Sequence, residues 1–80
     1  MKKIQVRYYA ILREQAGKSE EALLTDAISP SALFAELKAR YPFTLDAQHL
    51  KVVINAEFRD WQTPLNDGDS VVFIPPVAGG

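Results

Sequence analysis

The sequence has no cysteine, a single histidine and a single tryptophan, and only four of its 80 residues are glycine. Without cysteine there is neither a disulfide framework nor a zinc–thiolate site, and any thiol needed for chemistry must come from another protein. One histidine and no recognisable nucleophile motif do not assemble a catalytic triad. The glycines fit neither a dinucleotide-binding nor a Walker motif, so the chain is not expected to bind nucleotide itself.

Excess charge and long apolar runs are also lacking. Nine basic residues stand against ten acidic ones, with a formal net charge of -1, so the chain lacks the basic surplus of a nucleic-acid-binding domain. No apolar run approaches the roughly 20 residues of a membrane-spanning helix, and Gln5 and Arg7 interrupt the segment where a signal peptide would need its apolar core. We therefore expect a cytoplasmic protein with neither nucleic-acid nor membrane partners.

The chain does contain enough apolar residues for one small core. Hydrophobic residues make up 48% of the sequence and charged residues 24%. A chain this short buries only about 60% of the surface that its unfolded form exposes, so two domains would not fit. We expect residues 1–80 to form one domain held together by burial alone, with residues 75–80 as a carboxyl-terminal tail.

The first 25 residues predict two strands joined by a short helix. Residues 3–10 alternate between apolar and polar side chains, as a half-buried strand does. Residues 10–16 predict a helix that ends at Gly17, since glycine readily adopts the left-handed conformation of a helix cap. Residues 20–25 predict a second strand, and the short connection indicates antiparallel pairing with the first.

A longer helix is predicted from Ser29 and Pro30 to about Arg40. Serine accepts hydrogen bonds from the first unpaired amides, and proline loses nothing at the first helical position. Pro42 disfavours helix at the residue before it and so ends the segment. One face of this helix is apolar; it consists of Leu33, Phe34, Leu37 and Tyr41.

The second half of the chain predicts further strands. Residues 43–50 have no clear period and predict a loop or one helical turn, residues 51–56 predict a strand, and a short strand is expected around Phe58. Residues 66–69, with the sequence NDGD, form the strongest predicted turn. The apolar run of the last strand, residues 70–74, predicts a central strand covered on both faces. The fold class is therefore α+β, a mixed sheet of about four or five strands around one main helix.

Polar residues that might form a site have simpler structural interpretations. His49 is interpreted as a surface or loop residue. Asp67 and Asp69 flank a turn glycine, which accounts for both carboxylates without a metal site. Trp61 is interpreted as covering an edge of the core, with a partner contact as the alternative.

The most unusual segment is residues 73–80, with the sequence FIPPVAGG. The two prolines after Ile74 cannot continue a strand ladder and favour an extended, flexible tail. Six extended residues span at most about 20 Å, enough to carry a terminal carboxylate into a pocket of another protein. Gly79 and Gly80 have no side chain to block a narrow channel. The functional group that we predict is the α-carboxylate of Gly80.

A carboxylate is a poor electrophile, so transfer of sulfur or an amine to Gly80 needs prior activation, usually as a mixed anhydride with AMP. With no phosphate-binding loop in the sequence, we expect ATP, the metal and the catalytic residues to lie on a partner. The chain itself is then an acyl carrier that binds no cofactor.

Several segments of the sequence together resemble one known family. The segment Leu12-Arg13-Glu14, the later strand Val53-Ile54-Asn55, the turn PLNDGD at residues 64–69 and the ending at residues 73–80 all fit. On these residues the whole chain resembles the small subunits of molybdopterin synthase, the MoaD family of sulfur carriers. The resemblance implies a ubiquitin-like β-grasp fold.

The resemblance also implies a reaction cycle. A MoeB-like adenylyltransferase would use ATP to adenylate Gly80, and a sulfur donor would convert the acyl-adenylate to a thiocarboxylate. In the MoaE-like large subunit, this sulfur would pass to cyclic pyranopterin monophosphate to form molybdopterin. The chain would not be catalytic alone, and it would form a heterotetramer with the large subunit. The residues implied to bind partners through the tail are Pro75, Pro76, Val77, Ala78 and Gly79.

A tail alone offers little contact area, so the sheet is expected to supply an apolar docking face. The alternating last strand offers two candidates: a face with Val71 and Phe73, and a face with Val72 and Ile74. Phe73 is the candidate docking residue of the first.

Other functions fit the same sequence. A sulfur carrier of the thiamine pathway and a ubiquitin-related modifier that is conjugated to lysines share the fold and the Gly-Gly ending, although the doubled proline before Val77 favours the molybdopterin pathway. A non-catalytic β-grasp interaction domain is a further alternative.

Overall fold

The computed structural model describes residues 1–76; the predicted tail residues Val77, Ala78, Gly79 and Gly80 lie outside the described residues. The described part has five strands, two α-helices and one 3₁₀ turn. In chain order these are β1 (Lys2–Tyr8), α1 (Ala10–Ala16), β2 (Glu20–Thr25), α2 (Pro30–Arg40), the 3₁₀ turn (Ala47–His49), β3 (Lys51–Ile54), β4 (Glu57–Arg59) and β5 (Ser70–Ile74).

The five strands form one mixed sheet in the order β2-β1-β5-β3-β4. β1 and β5 pair in parallel, and the other three pairs are antiparallel. The predicted antiparallel pairing of β1 with β2 and the predicted central position of β5 are both confirmed. So is the α+β class, with one main helix packed against one sheet.

The start of α2 and the end of α1 lie where local chemistry predicts. The Ser29 hydroxyl oxygen accepts a hydrogen bond from the Ala32 amide at 3.2 Å, with Pro30 in the first helical turn. Gly17 ends α1 at φ 77°, a left-handed conformation that most other residues adopt only under strain.

Two predicted strands are shorter in the structure than in the prediction. β1 ends at Tyr8 rather than residue 10, because Ala10 has φ 51° and begins α1. β3 ends at Ile54 rather than residue 56, because Asn55 and Ala56 have φ 50° and 71° and form the tight turn into β4.

The core lies between α2 and one face of the sheet, which we call the inner face. Phe34 of α2 packs on Phe73 of β5 with ring centroids 5.2 Å apart. Val71 and Phe73 are both fully buried. The predicted role of Phe73 as a docking residue is therefore wrong, because its side chain points into the core and has no surface to offer a partner.

The prediction that β5 is covered on both faces is also wrong. α2 covers only the inner face, and the alternate residues of β5, Val72 and Ile74, remain partly exposed on the opposite side, which we call the outer face. β5 is central because β1 and β3 pair with it on its two sides. Four consecutive apolar residues therefore do not require that both faces of this strand are buried.

None of the helices in residues 1–76 has the length and apolar character that a membrane span requires.

Candidate functional site

The chain leaves the sheet at the end of β5. Ile74, the last residue of the strand, pairs with Lys51 of β3. Pro75 is half-buried and Pro76 is exposed. Since proline has no amide hydrogen to donate, neither residue supports further pairing from its own nitrogen. The two predicted tail residues that the structure describes therefore lie just beyond the end of the central strand, and the roles of residues 77–80 stay predictions.

Four apolar side chains lie on the outer face beside this exit. Val53 pairs with Val72 on one side and with Phe58 on the other, so these three side chains form a row across β5, β3 and β4. Ile74 lies two residues beyond Val72 on the same face. Phe58 is 70% exposed, and the other three are partly exposed. We call Val53, Phe58, Val72 and Ile74 the outer apolar strip.

Two basic residues border the strip. Arg7 of β1 pairs with Val72, and Lys51 of β3 pairs with Ile74, so each lies one strand away from a member of the strip. Both residues are exposed. The Arg7 Nε atom lies 3.9 Å from a carboxylate oxygen of Glu20 on β2.

The strip combines an exposed aromatic ring with aliphatic neighbours and a charged border. Such a composition is typical of a protein docking surface, where a desolvated apolar centre is surrounded by polar groups. Ile74 belongs both to the strip and to the exit, so a partner bound to the strip lies next to the start of the tail. Sequence reasoning included Val72 and Ile74 as one alternative face but missed Val53 and Phe58, because strand register decides their contribution.

The interpretation of Asp67 and Asp69 as structural residues is confirmed. The buried Asp69 carboxylate accepts hydrogen bonds from the Asn55 side-chain amide at 2.9 Å and from the Asn66 backbone amide at 2.8 Å. Asp67 accepts a bond from the Lys3 amide at 2.6 Å. These bonds tie the turn before β5 to β1 and to the β3–β4 turn.

His49 and Trp61 also lie where they were predicted, His49 in an exposed turn and Trp61 at the edge of the core. The His49 Nδ1 atom accepts a hydrogen bond from the Asp46 amide at 3.3 Å and so helps to cap the 3₁₀ turn. The Trp61 ring stacks on Phe73 at a centroid distance of 5.7 Å, at the edge of the core. A shallow cleft between Trp61 and Phe58 adjoins the outer apolar strip.

One polar cluster was missed by sequence reasoning. The hydroxyl groups of Tyr8 and Tyr41 both donate to the same oxygen of Glu21, at 2.5 and 2.7 Å, and the Lys18 ammonium lies 3.6 Å from the other oxygen. Burial, together with the bond to Glu21, raises the pKa of Tyr8. Burial by itself would raise the pKa of Glu21, but the two tyrosine hydrogen bonds and the charge of Lys18 lower it overall.

A signal for this cluster was present in the sequence. In β2, the inward positions are 21, 23 and 25, and a glutamate at the first of them needs a partner. The cluster joins β1 and β2 to the end of α2, and the Glu21 carboxylate is held there by two tyrosine hydroxyls and the Lys18 ammonium. We therefore assign it a structural role.

The comparison with known proteins decides the family. Residues 6–80 match the sequence model of the ThiS family. The chain belongs to the ThiS family. It is 34% identical over 83 aligned residues to the molybdopterin synthase sulfur carrier subunit of Mycobacterium tuberculosis, and the alignment covers 100% of both chains. The resemblance to molybdopterin synthase small subunits is thereby confirmed.

Solved structures of similar proteins have the same fold. A putative molybdopterin converting factor subunit 1 from Pyrococcus furiosus is 30% identical, with a TM-score of 0.80 over 96% of this chain and 100% of that chain. A further structure is a complex of subunits 1 and 2 of the molybdopterin-converting factor from Helicobacter pylori. The matching chain of that complex is 24% identical, with a TM-score of 0.69 over 98% of this chain and 99% of its own length, which supports the fold alone. The expected ubiquitin-like β-grasp fold of this ThiS-family chain is confirmed.

Proposed function

We propose that this chain is the sulfur carrier subunit of a molybdopterin synthase and that it holds sulfur as a thiocarboxylate on Gly80. The observation that supports this function most strongly is the full-length similarity to a molybdopterin synthase sulfur carrier subunit, at 34% identity. The chain ends in the sequence PPVAGG, and its last strand is the centre of the sheet. The described domain then serves as a platform that presents the tail to other proteins.

The chemistry at Gly80 takes place in three steps. The carboxylate attacks the α-phosphate of ATP on an adenylating partner, which releases pyrophosphate and leaves an acyl-adenylate. A sulfur donor then displaces AMP. The bond between the Gly80 carbonyl carbon and the phosphate oxygen of AMP breaks, and a carbon–sulfur bond forms in its place. On the large subunit the sulfur passes to cyclic pyranopterin monophosphate, and hydrolysis returns the carboxylate. Two such transfers supply the two sulfur atoms of the molybdopterin dithiolene.

The outer apolar strip explains how a short tail reaches a partner's active site. Ile74 lies in the strip, and the six residues after it span at most about 20 Å. When a partner is docked on the strip, the tail is tethered close to the partner's active site. The effective concentration of the tail at that site is then high. We propose that a MoeB-like adenylating enzyme and the MoaE-like large subunit use the strip in turn, and that the large subunit forms a heterotetramer with two copies of this chain.

Intact-protein mass spectrometry tests this function. The chain is incubated with ATP, an adenylating enzyme of the MoeB type and a sulfide source. We expect the mass to rise by the difference between sulfur and oxygen, and fragmentation to localise the change to Gly80. A variant without Gly80 is the matched control, and we expect it to stay unmodified while keeping its melting temperature. No mass change in the wild-type chain, beside an active control carrier, would contradict the proposal.

The alternative functions give different results after loading. A carrier of the thiamine pathway would load in the same way but would bind a thiazole synthase rather than a molybdopterin synthase large subunit. A lysine modifier would form covalent adducts with other proteins, visible as higher-mass bands that persist in denaturing gels. A simple interaction domain would not load.

A further inference from the structure

The charged border of the outer apolar strip leads to a further inference, which rests on the proposed function. Arg7 and Lys51 lie on the outer face on opposite sides of β5. Val72 and Ile74, the two members of the strip on β5, therefore lie between two positive charges. The chain as a whole is almost neutral, so this arrangement is local rather than a consequence of composition.

Neither charge is strongly paired within the domain. The contact between Arg7 and Glu20 is a single approach of 3.9 Å, and the side chains are each 54% exposed. The Glu20 carboxylate also accepts a hydrogen bond from the Gln5 side-chain amide at 3.1 Å. Among residues 1–76, no carboxylate lies within ion-pair distance of Lys51. Both cations thus depend mainly on water for their solvation.

A partner that covers the strip removes this water. Arg7 and Lys51 lie directly opposite Val72 and Ile74 on the neighbouring strands, and the backbones of neighbouring strands are about 4.8 Å apart. A cation that loses water without gaining an acceptor destabilises the complex. A complementary partner is therefore expected to place an acceptor opposite each cation, and an anionic group is the strongest acceptor for a cation. Arginine favours a carboxylate in particular, since its planar guanidinium group pairs with both carboxylate oxygens.

We propose that the large subunit of molybdopterin synthase binds the outer apolar strip with an apolar patch flanked by two carboxylate side chains, one opposite Arg7 and one opposite Lys51. These pairs would fix the orientation of the domain on its partner, because the apolar contacts alone have little directionality. They would also steer association, so binding would weaken as salt rises.

Binding to the large subunit from the same organism tests this proposal. The dissociation constant is measured calorimetrically at low and at moderate salt for the wild type, Arg7→Glu and Lys51→Glu. The matched control is Lys38→Glu, which makes the same change in charge on α2, on the other side of the sheet, and which, like Arg7→Glu, also removes an exposed ion pair, here with Asp46. We expect each of the two outer-face variants to weaken binding about tenfold or more at low salt. The control should change binding less than about twofold, and the salt dependence should be shallower in the outer-face variants.

A double variant separates the partner contact from the contact within the domain. Arg7→Glu combined with Glu20→Arg keeps an ion pair on the outer face but moves the positive charge away from Val72. We expect it to bind as weakly as Arg7→Glu, with a melting temperature close to that of the wild type. Full binding by the double variant would overturn the proposal for Arg7. Outer-face variants that bind like Lys38→Glu, or more tightly than the wild type, would overturn it for both residues. If the wild type does not bind the large subunit at all, the proposed function itself fails.

Discussion

The two faces of the sheet are built from the same kinds of residues but differ in burial. On β5, Val71 and Phe73 point inward and are fully buried, whereas Val72 and Ile74 point outward and are partly exposed. The inner face is filled by α2 and stabilises the domain. The outer face has no helix over it in the described part of the chain and lies beside the tail exit. Apolar character therefore does not distinguish the core residues of this protein from the residues of the proposed docking face, but strand register does.

The largest effect should come from breaking the inner face. Phe73→Ala removes a ring that packs on Phe34 and stacks with Trp61, and we expect it to lower the free energy of unfolding by about 3–5 kcal/mol. Val72→Ala, one residue away on the outer face, should lower the free energy of unfolding by less than about 1 kcal/mol. Urea denaturation followed by circular dichroism measures both. Equal losses in the two variants would contradict the assignment of the faces.

The next effect should come from charging the outer face. Phe58 is 70% exposed, so Phe58→Glu should leave the melting temperature within a few degrees of the wild type. We expect it to weaken binding to the large subunit about 10- to 100-fold, because an aromatic anchor is replaced by a charge in a desolvated contact. Unchanged binding by the folded variant would show that Phe58 is not part of the docking face, and unfolding of the variant would contradict its assignment as an exposed residue without a role in the core.

A smaller, pH-dependent effect on the free energy of unfolding is expected from the cluster of Tyr8, Tyr41 and Glu21. This cluster joins β1 and β2 to the end of α2. The pKa of Glu21 is lower in the folded chain than its ordinary value. The charged carboxylate therefore stabilises the fold above the ordinary pKa, and this stabilisation is lost as the pH falls through the folded value.

Glu21→Gln tests that effect. We expect it to lower the free energy of unfolding by about 1–3 kcal/mol at neutral pH, because the tyrosine hydroxyls lose a charged acceptor. The difference from the wild type should shrink as the pH is lowered. Melting temperatures recorded from neutral to acidic pH provide the comparison, and a difference that is constant across this range would contradict the assignment.

The smallest effect concerns a turn that belongs to neither face. Ala56 has φ 71°, a conformation that costs alanine more than glycine. We expect Ala56→Gly to raise the free energy of unfolding by about 0.5–1 kcal/mol. Ala39→Gly, at an exposed position in α2, is the matched control and should lower it by a similar amount. Destabilisation by Ala56→Gly would contradict the strain inferred at this turn.

Much of the fold could be predicted because local signals agreed with one another. The alternation of Ile4, Val6 and Tyr8, the Ser29-Pro30 helix start and the turn at residues 66–69 each specify an element from neighbouring residues alone. The last strand was harder, because four consecutive apolar residues conceal the alternation that separates Phe73 from Val72. Only the position of α2 shows which of them is buried.

The candidate site was predictable in part. The point where the chain leaves the sheet could be predicted from the prolines after Ile74, because proline has no amide hydrogen with which to continue a strand ladder. The outer apolar strip could not be assembled, because Phe58 joins it only through the pairing of β4 with Val53. The charged border has the same origin, since Arg7 lies beside Val72 through the parallel pairing of β1 with β5.

Transfer of sulfur from the loaded chain tests the proposed function most directly. The chain is loaded on Gly80, purified away from the adenylating enzyme, and mixed with the large subunit and cyclic pyranopterin monophosphate in a single turnover. We predict that the sulfur mass disappears from the chain at the same rate at which sulfur appears in the pterin, and that Phe58→Glu slows both. A chain that keeps its sulfur in the presence of the active large subunit and its substrate would contradict a role as the carrier of this enzyme.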